Sequence, residues 1–326
     1  MKRLICYLNV VLCVAALAPA AGAWAAPRRD RPPERYEFAQ LHMGVKVRLV
    51  VYARDEPAAT RACRAAFARF AELEQILSDY RPDSELMRLC ARAGGEPVRV
   101  SRDLYTVLSH AMALARRSEG AFDPTVGPVV ALWRTARKAG RLPPDDALRQ
   151  ARALVGWRHL RLEAAPRTAR LALPGMRLDL GGIAKGFAAD AALAALKQHG
   201  VSRALIEAGG DIVVGDAPPG QEGWRIEVPG IGPDGAARTL VVANQAVSTS
   251  GDTEQFVEID GRRYSHVVDP RTGLGLTTRV AATVVARRGL LADGLSTAAC
   301  VLGPEKGPAL VASYPGAVVY LRVAGP

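Results

Sequence analysis

Cysteine is scarce in this chain of 326 residues, which contains five. Cys6 and Cys13 lie in an apolar N-terminal stretch, which leaves Cys63, Cys90 and Cys300 for the rest of the protein. Three widely separated cysteines permit at most one disulfide. Because no Cys-x-x-Cys spacing occurs, neither a zinc site nor a thiol redox motif is supported.

A long apolar run is also missing. Residues 4–17 are apolar, but they are fewer than the ~20 residues needed to span a membrane. Lys2 and Arg3 precede this stretch and Ala23-Trp24-Ala25 follows it, which is typical of a cleaved secretory signal. We therefore expect residues 1–26 to be a signal peptide and the mature protein to be periplasmic. A membrane anchor is the alternative, and the absence of a small residue before Cys13 disfavours a lipoprotein.

Acidic residues are fewer than basic ones, which gives the chain a formal net charge of +11. A basic surface suits acidic partners. Export makes nucleic acid an unexpected partner, which leaves a phosphorylated small molecule or anionic lipid. Peripheral association with the inner membrane surface stays open on this basis.

The remaining sequence predicts one α+β domain over residues 36–326, after a flexible Arg/Pro-rich leader over residues 27–35. We see no internal repeat and no linker. A strand pair broken at Met43-Gly44 is expected over residues 36–52. Apolar periodicity predicts helices over residues 56–77, 104–117, 129–138, 185–199 and 290–301. Further strands are expected at residues 169–173, 176–180, 203–206, 224–228, 239–242, 254–260, 279–286 and 317–323.

The most informative segment is Leu-Asp-Leu-Gly-Gly-Ile-Ala-Lys-Gly-Phe over residues 178–187, closing at Asp190. It predicts a strand that turns on Gly181 and Gly182 and then opens a helix carrying Lys185. Such a turn suits a phosphate, because glycines permit positive φ and close approach while helical N–H groups and the lysine face the anion. A packing turn without a ligand is the alternative.

Three further segments combine Gly, Asp, Ser and Thr in turns, where rigid scaffolds place binding groups. Residues 118–128, which contain Asp123, are also explained by a helix stop followed by an Asp or Thr cap. Residues 207–211 follow an apolar strand, so a carboxylate there either meets a ligand at the sheet edge or belongs to a plain turn. Residues 247–252 and 264–273 place His266 in an apolar context that is usual for a structural histidine.

Asp293 and Thr297 are four residues apart in a helix of small apolar residues, so their oxygens project from one face at adjacent turns. An acid in such a helix needs a partner. The partner is either local backbone or an arginine, or it is a hard cation such as Mg²⁺, which takes oxygen ligands, waters and phosphate oxygens.

Together and in this order, eight segments resemble the FAD:protein FMN transferase family, also called ApbE. They are Met43-Gly44, Ser78-Asp79-Tyr80 with Asp83-Ser84-Glu85-Leu86, and residues 120–128, 179–190, 207–211, 248–252, 265–273 and 292–297. The resemblance implies a single ApbE-like, T-fold-related α+β domain with mixed sheets and packed helices. It also implies the family's activity, in which Mg²⁺ helps to split FAD, FMN is placed on a threonine of an exported acceptor such as a respiratory or redox subunit, and AMP is released.

The resemblance also implies roles for single residues. The metal ligands would be the carbonyl of Ala184 with Asp293 and Thr297. Lys185 and Asp293 would act in catalysis with His266, our candidate base because an unperturbed imidazole titrates near neutrality, although a nearby Asp could do the same. Contacts to FAD would come from Met43, Tyr80, Ala121, Phe122, Asp123, Gly181, Lys185 and Phe187, with Glu207 and His266 lining the same cleft.

Two positions depart from the family's usual pattern: Val45 stands where threonine is common, and Gly294 where alanine is frequent. Val45 lacks one hydroxyl contact, and Gly294 lowers helix propensity beside the expected metal ligand. Two other functions remain open, namely an FAD pyrophosphatase that passes FMN to water and a periplasmic flavin-binding protein without turnover. Intact Asp293, Thr297 and His266 disfavour the second.

Overall fold

The protein is described here by a computed structural model, which covers residues 32–228, 230, 236–251 and 256–323. The expected signal peptide lies outside these residues, as do most of the expected leader and Asp252. From Pro33 onward, the described residues form one compact unit by their contacts. The first strand begins at Glu34, so the last two residues assigned to the leader belong to the sheet. Within the covered ranges, no helix is long and apolar enough to cross a membrane.

Seven α-helices occur in the described residues. They are α1 (Glu56–Leu77), α2 (Glu85–Cys90), α3 (Arg102–Arg117), α4 (Gly127–Ala139), α5 (Asp145–Ala153), α6 (Ala184–Gln198) and α7 (Gly289–Ala312). The strands are β1 (Glu34–His42), β2 (Val45–Ala53), β3 (Val98–Arg99), β4 (Leu160–Glu163), β5 (Thr168–Leu171), β6 (Ala204–Ala208), β7 (Asp211–Val214), β8 (Trp224–Val228), β9 (Arg238–Val242), β10 (Gln245–Gly251), β11 (Phe256–Ile259), β12 (Arg262–Ser265), β13 (Val280–Ala286) and β14 (Val318–Val323).

The centre of the fold is a seven-stranded sheet in the order β1-β2-β6-β7-β10-β13-β14. All of its neighbouring strands pair antiparallel. Strand β13 has the sequence VAATVVA and is buried along its whole length, because both faces of the sheet are covered. Helices α1, α6 and α7 cover one face, and the β8–β9 hairpin packs against Val50, Leu205 and Val285 on the other.

Helix α1 shows how the sequence determines an element. The Asp55 side chain accepts the Ala58 N–H at 2.8 Å and caps the helix. Its apolar face, which includes Phe67, Phe70 and Leu73, is buried against the core. The predicted range of residues 56–77 is confirmed, as is the strand pair broken at Met43-Gly44.

Two sequence expectations differ from the structure. Residues 176–180 are not a strand, because their backbone N–H groups find partners outside the sheets: the Leu178 N–H reaches the Cys90 Sγ at the end of α2, and the Asp179 N–H reaches the Pro124 carbonyl. The helix expected to end at residue 301 continues to Ala312 through a kink at Gly303, whose φ is 70° and which precedes Pro304. Helices α2 and α5 were not expected, since both are short.

Cys63, Cys90 and Cys300 are buried thiols. Burial raises the pKa of the Cys63 thiol to about 12, so this sulfur stays protonated and packs as a small apolar group.

Candidate functional site

A cavity of about 440 Å³ lies where the sequence predicted a cleft. Its walls come from the β1–β2 hairpin, the loop after α1, helix α4, the turn before α6, the β6–β7 turn, the end of β10, the loop around His266, and helix α7. Of the predicted site residues, the structure brings nine to this one cavity: Tyr80, Ala121, Phe122, Asp123, Gly181, Lys185, His266, Asp293 and Thr297.

Small residues let the first turn of α6 approach α7. A Cβ at Gly186 would overlap the Gly289 carbonyl and lie 2.8 Å from the Asp293 Cβ, so only glycine fits here. The Gly186 N–H donates to the Asp293 Oδ2 at 3.0 Å. Asp190 closes the same contact, because its carboxylate accepts the Gly289 N–H at 2.6 Å and the Leu290 N–H at 3.1 Å. This acid therefore satisfies N–H groups in the first turn of α7.

Lys185 lies between two buried acids. Its Nζ is 3.0 Å from the Asp211 Oδ2 and 3.9 Å from the Asp293 Oδ2, and it donates to the Gly181 carbonyl at 3.3 Å. Burial opposes the lysine's charge, but the two carboxylates together raise its pKa. Burial, followed by the Asp211 charge, raises the pKa of Asp293 to about 7 despite the nearby lysine. Two acids sharing one cation create a site where a further positive charge is favourable.

The acids continue into a row of hydroxyl groups between β10 and α7. The Ser248 hydroxyl donates to Asp211 and lies 3.1 Å from the Ser296 Oγ. The Ser250 Oγ lies 2.8 Å from the Ser296 Oγ and 3.2 Å from the Thr297 Oγ1. Together with backbone carbonyls, these groups present only oxygen ligands, which are the kind that Mg²⁺ binds.

The residues present fit a magnesium ion. The Asp211 Oδ2 is buried and pairs with the Lys185 Nζ at 3.0 Å, so the Asp211 and Asp293 carboxylates share one lysine cation. Among the residues that the structure covers, no group of three or more His, Cys, Asp or Glu side chains could hold a metal. A metal here would therefore also need hydroxyl, carbonyl, phosphate or water oxygens. Ala184 is the first residue of α6 and lies two residues before Gly186, whose N–H donates to Asp293. This placement is compatible with the expected role of the Ala184 carbonyl as a metal ligand.

The Gly181–Gly182 turn is built differently from the sequence expectation. Neither glycine has a positive φ, so that part of the prediction is wrong. Close approach is confirmed at Gly182, where a Cβ would lie 2.8 Å from the Thr297 Oγ1. The turn is held by Asp179, whose Oδ1 accepts the Gly181 N–H at 2.8 Å.

The two aromatic residues expected to contact FAD, Tyr80 and Phe122, differ in how much of the side chain is exposed. Tyr80 is 74% exposed at the cavity, whereas Phe122 is 5% exposed and packs in the core. Asp123 lines the cavity, but one carboxylate oxygen accepts from Thr125 and the other accepts the Trp157 N–H at 2.9 Å. Its carboxylate therefore ties two loops together, and α4 has no side-chain cap.

Three predicted contact residues lie outside the cavity lining. Met43 sits at the β1–β2 turn with a φ of 51°, and Phe187 is buried in the core between the helices and the sheet. Glu207 binds Arg48, with the Arg48 Nη2 at 2.6 Å. In this structure the Glu207 carboxylate is bound by Arg48 and does not line the cavity, so its contact with FAD stays a prediction.

His266 lines the cavity and is half-buried. The residue before it, Ser265, is held by two hydrogen bonds. Its carbonyl accepts the Trp133 Nε1–H at 3.1 Å, and its Oγ accepts the Val267 N–H at 3.0 Å. The imidazole therefore projects from a well-held backbone.

Sequence reasoning missed one wall of the cavity, which α4 supplies through Val130, Trp133, Arg134 and Arg137. The available signal was the apolar and basic spacing of this helix, which by itself predicts a helix and no ligand contact. Asp79, Asp179, Asp211 and Ser250 also line the cavity. These four residues stood within the matched segments but were not singled out.

Comparisons with known proteins agree with this geometry. The family model described as "ApbE family" matches residues 43–321. A protein of Treponema pallidum named FAD:protein FMN transferase is 36% identical over 95% of this chain and 88% of its own length. One from Vibrio cholerae with the same name is 32% identical over 93% of this chain and 90% of its own length.

Solved structures give the same result. The apo flavinyl transferase ApbE of Pseudomonas stutzeri superposes with a TM-score of 0.80 at 32% identity, covering 91% of this chain and 93% of that one. The flavin transferase ApbE of Vibrio cholerae gives a TM-score of 0.80 at 31% identity, covering 90% and 95%. The expected α+β fold is thereby confirmed, and this chain belongs to the ApbE family.

Proposed function

We propose that this chain is a FAD:protein FMN transferase, which moves the FMN part of FAD onto a threonine hydroxyl of an exported acceptor protein and releases AMP. The relatives carry the transferase name. Magnesium dependence, the threonine target and AMP as product are the finer parts of the proposal.

The observation that carries the proposal is the pairing of two surfaces in one cavity. Lys185, Asp293 and the N-terminus of α6 offer positive charge and a cation site. Tyr80 offers an exposed ring to the same cavity. A dinucleotide has this combination, with a diphosphate between planar rings, and about 440 Å³ is within the usual range for ligand pockets.

In the proposed reaction, the threonine oxygen attacks the FMN-side phosphorus of FAD. The bond from that phosphorus to the bridging oxygen breaks, and AMP leaves with this oxygen. Lys185 and the N–H groups at the start of α6 offset charge that develops on the phosphoryl oxygens. His266 accepts the proton of the attacking hydroxyl.

The ligands proposed for Mg²⁺ are Asp293, Thr297 and the carbonyl of Ala184. When bound, the metal would polarise a phosphoryl oxygen and neutralise part of the diphosphate charge. The chain's own residues hold the acid in place, since Gly186 donates to Asp293 and Gly182 leaves room for Thr297.

Incubation with FAD, Mg²⁺ and a threonine-bearing acceptor tests this function. We expect the acceptor's intact mass to rise by one FMN moiety, with AMP appearing in equal amount. Free FMN with AMP and no mass change would identify a pyrophosphatase. Unchanged FAD would identify a flavin-binding protein without turnover.

We also propose that the protein acts in the periplasm after removal of residues 1–26. The support is the charged, apolar and small-residue pattern of the N-terminus. N-terminal sequencing of the exported protein should begin at Pro27. A protein that retains Met1, or that stays with the cytoplasmic fraction, would contradict this proposal.

A further inference from the structure

Arg134 makes contacts that the function described above does not use. Its guanidinium carbon lies 4.2 Å from the centre of the Tyr80 ring, so the cation covers one face of that ring. The same guanidinium donates to Asp79 and, at 2.9 Å, to the Asp179 Oδ2. Both acids are mostly buried, and both line the cavity.

These contacts join two parts of the cavity. Asp179 uses its second oxygen to accept the Gly181 N–H at 2.8 Å, and Gly181 belongs to the turn proposed to face the diphosphate. Tyr80 follows Asp79 directly in the chain. One guanidinium therefore connects the exposed ring with the turn, through two acids on different segments.

We propose that Arg134 is a positioning residue that holds the Tyr80 ring as a stacking surface for a planar ring of FAD. This inference rests on the proposed function, since it takes FAD to be the ligand of the cavity. Tyr80 is largely exposed, and an exposed side chain loses freedom when a ligand packs on it. A ring already held by a cation on one face loses less, so the ligand binds more tightly to the other face.

A merely structural role for Arg134 would be to neutralise Asp79 and Asp179. The two roles differ in what they require of the side chain. Any cation can neutralise the two acids. Binding both carboxylates while lying flat on the Tyr80 ring needs a planar guanidinium. A lysine at this position can therefore neutralise the acids but cannot make the planar contacts.

The test is a double-mutant cycle on FAD affinity, using Arg134→Lys, Tyr80→Ala and the double variant. Flavin fluorescence is read within seconds of adding FAD with Mg²⁺ and without acceptor, before turnover consumes the ligand. We expect Arg134→Lys to weaken FAD binding about tenfold when Tyr80 is present, and less than about twofold in the Tyr80→Ala protein. Thermal melting shows that each variant is folded, which the retained positive charge favours.

Lys138→Ala is the matched control, since Lys138 is an exposed cation on the same helix, and it should bind FAD like the wild type. Wild-type affinity in Arg134→Lys, or an equal loss in both Tyr80 backgrounds, would overturn the inference while leaving FMN transfer by the wild type intact. If the wild type binds FAD but transfers nothing, the proposed function fails and the cycle still decides the role of Arg134. If the wild type does not bind FAD, the proposed function and the inference on Arg134 are both wrong.

Discussion

Asp293 is the residue on which most of the site converges. Its Oδ2 accepts the Gly186 N–H and lies near the Lys185 cation. In Asp293→Asn, the amide oxygen can still accept from Gly186, so we expect the fold to be kept while a charged metal ligand is lost. Magnesium-dependent transfer should fall at least about 100-fold. The control is Asp146→Asn on the exposed face of α5, and equal rates in the two variants would contradict the metal assignment.

The raised pKa of Asp293 also predicts how stability depends on pH. The unfolded chain ionises this acid near its ordinary pKa of about 4, whereas the metal-free folded protein does so at about 7. The folded state therefore binds more protons between these values, and its free energy of unfolding decreases as pH rises from about 4 to about 7.

Chemical denaturation of the metal-free wild type and Asp293→Asn across this range measures the effect. Asp123 and Asp190 are also buried with raised pKa values, so the difference between the two proteins isolates Asp293. The stability advantage of the Asn variant should grow with pH and level off above about 7. A constant difference would mean that the carboxyl ionises normally.

His266 is expected to take the acceptor's proton, so its removal should change how the rate depends on pH. His266→Ala should lower kcat about 100-fold or more and should remove the acidic limb of the pH–rate profile, because no imidazole remains to be deprotonated. FAD affinity should change much less. A rate loss with an unchanged acidic limb would assign the proton transfer to another group.

At the scale of elements, the contact between α6 and α7 brings together the residues proposed to bind the metal. Gly186→Ala would force the helices apart, because the added Cβ overlaps the Gly289 carbonyl. We expect a loss of about 1–3 kcal/mol in the free energy of unfolding together with a large loss of transfer. Gly200→Ala, at an open left-handed position with a φ of 77°, should cost about 1 kcal/mol and leave transfer unchanged. Similar transfer in both variants would show that the contact is not needed.

Elements with a local cause could be predicted from the sequence. Helix α1 has a cap, a strong apolar face and 22 residues, and its predicted bounds agree with the structure. Residues 176–180 alternate apolar and charged side chains as a strand does, but their backbone partners are the Cys90 Sγ at the end of α2 and the Pro124 carbonyl. Nothing within the five residues indicates those partners, so the strand prediction was wrong.

At the scale of the whole molecule, the sequence predicted which segments meet but not every residue that they present. Lys185, Asp293 and Thr297 share the cavity as expected. Glu207 does not, because Arg48 on the neighbouring strand binds it. Arg134 was missed because its two carboxylates lie far away in the sequence, at Asp79 and Asp179. Such partners become visible only when the long-range contacts are known.

The central claim is that this cavity holds FAD with a metal at the junction of α6 and α7. A crystal structure with FAD and Mn²⁺ tests it most directly, because Mn²⁺ accepts the same oxygen ligands as Mg²⁺ and can be located by anomalous scattering. We predict an anomalous peak bound by Asp293 and Thr297, with the diphosphate at Gly181 and Lys185 and a planar ring on Tyr80. A metal peak elsewhere, or FAD bound outside this cavity, would contradict the account.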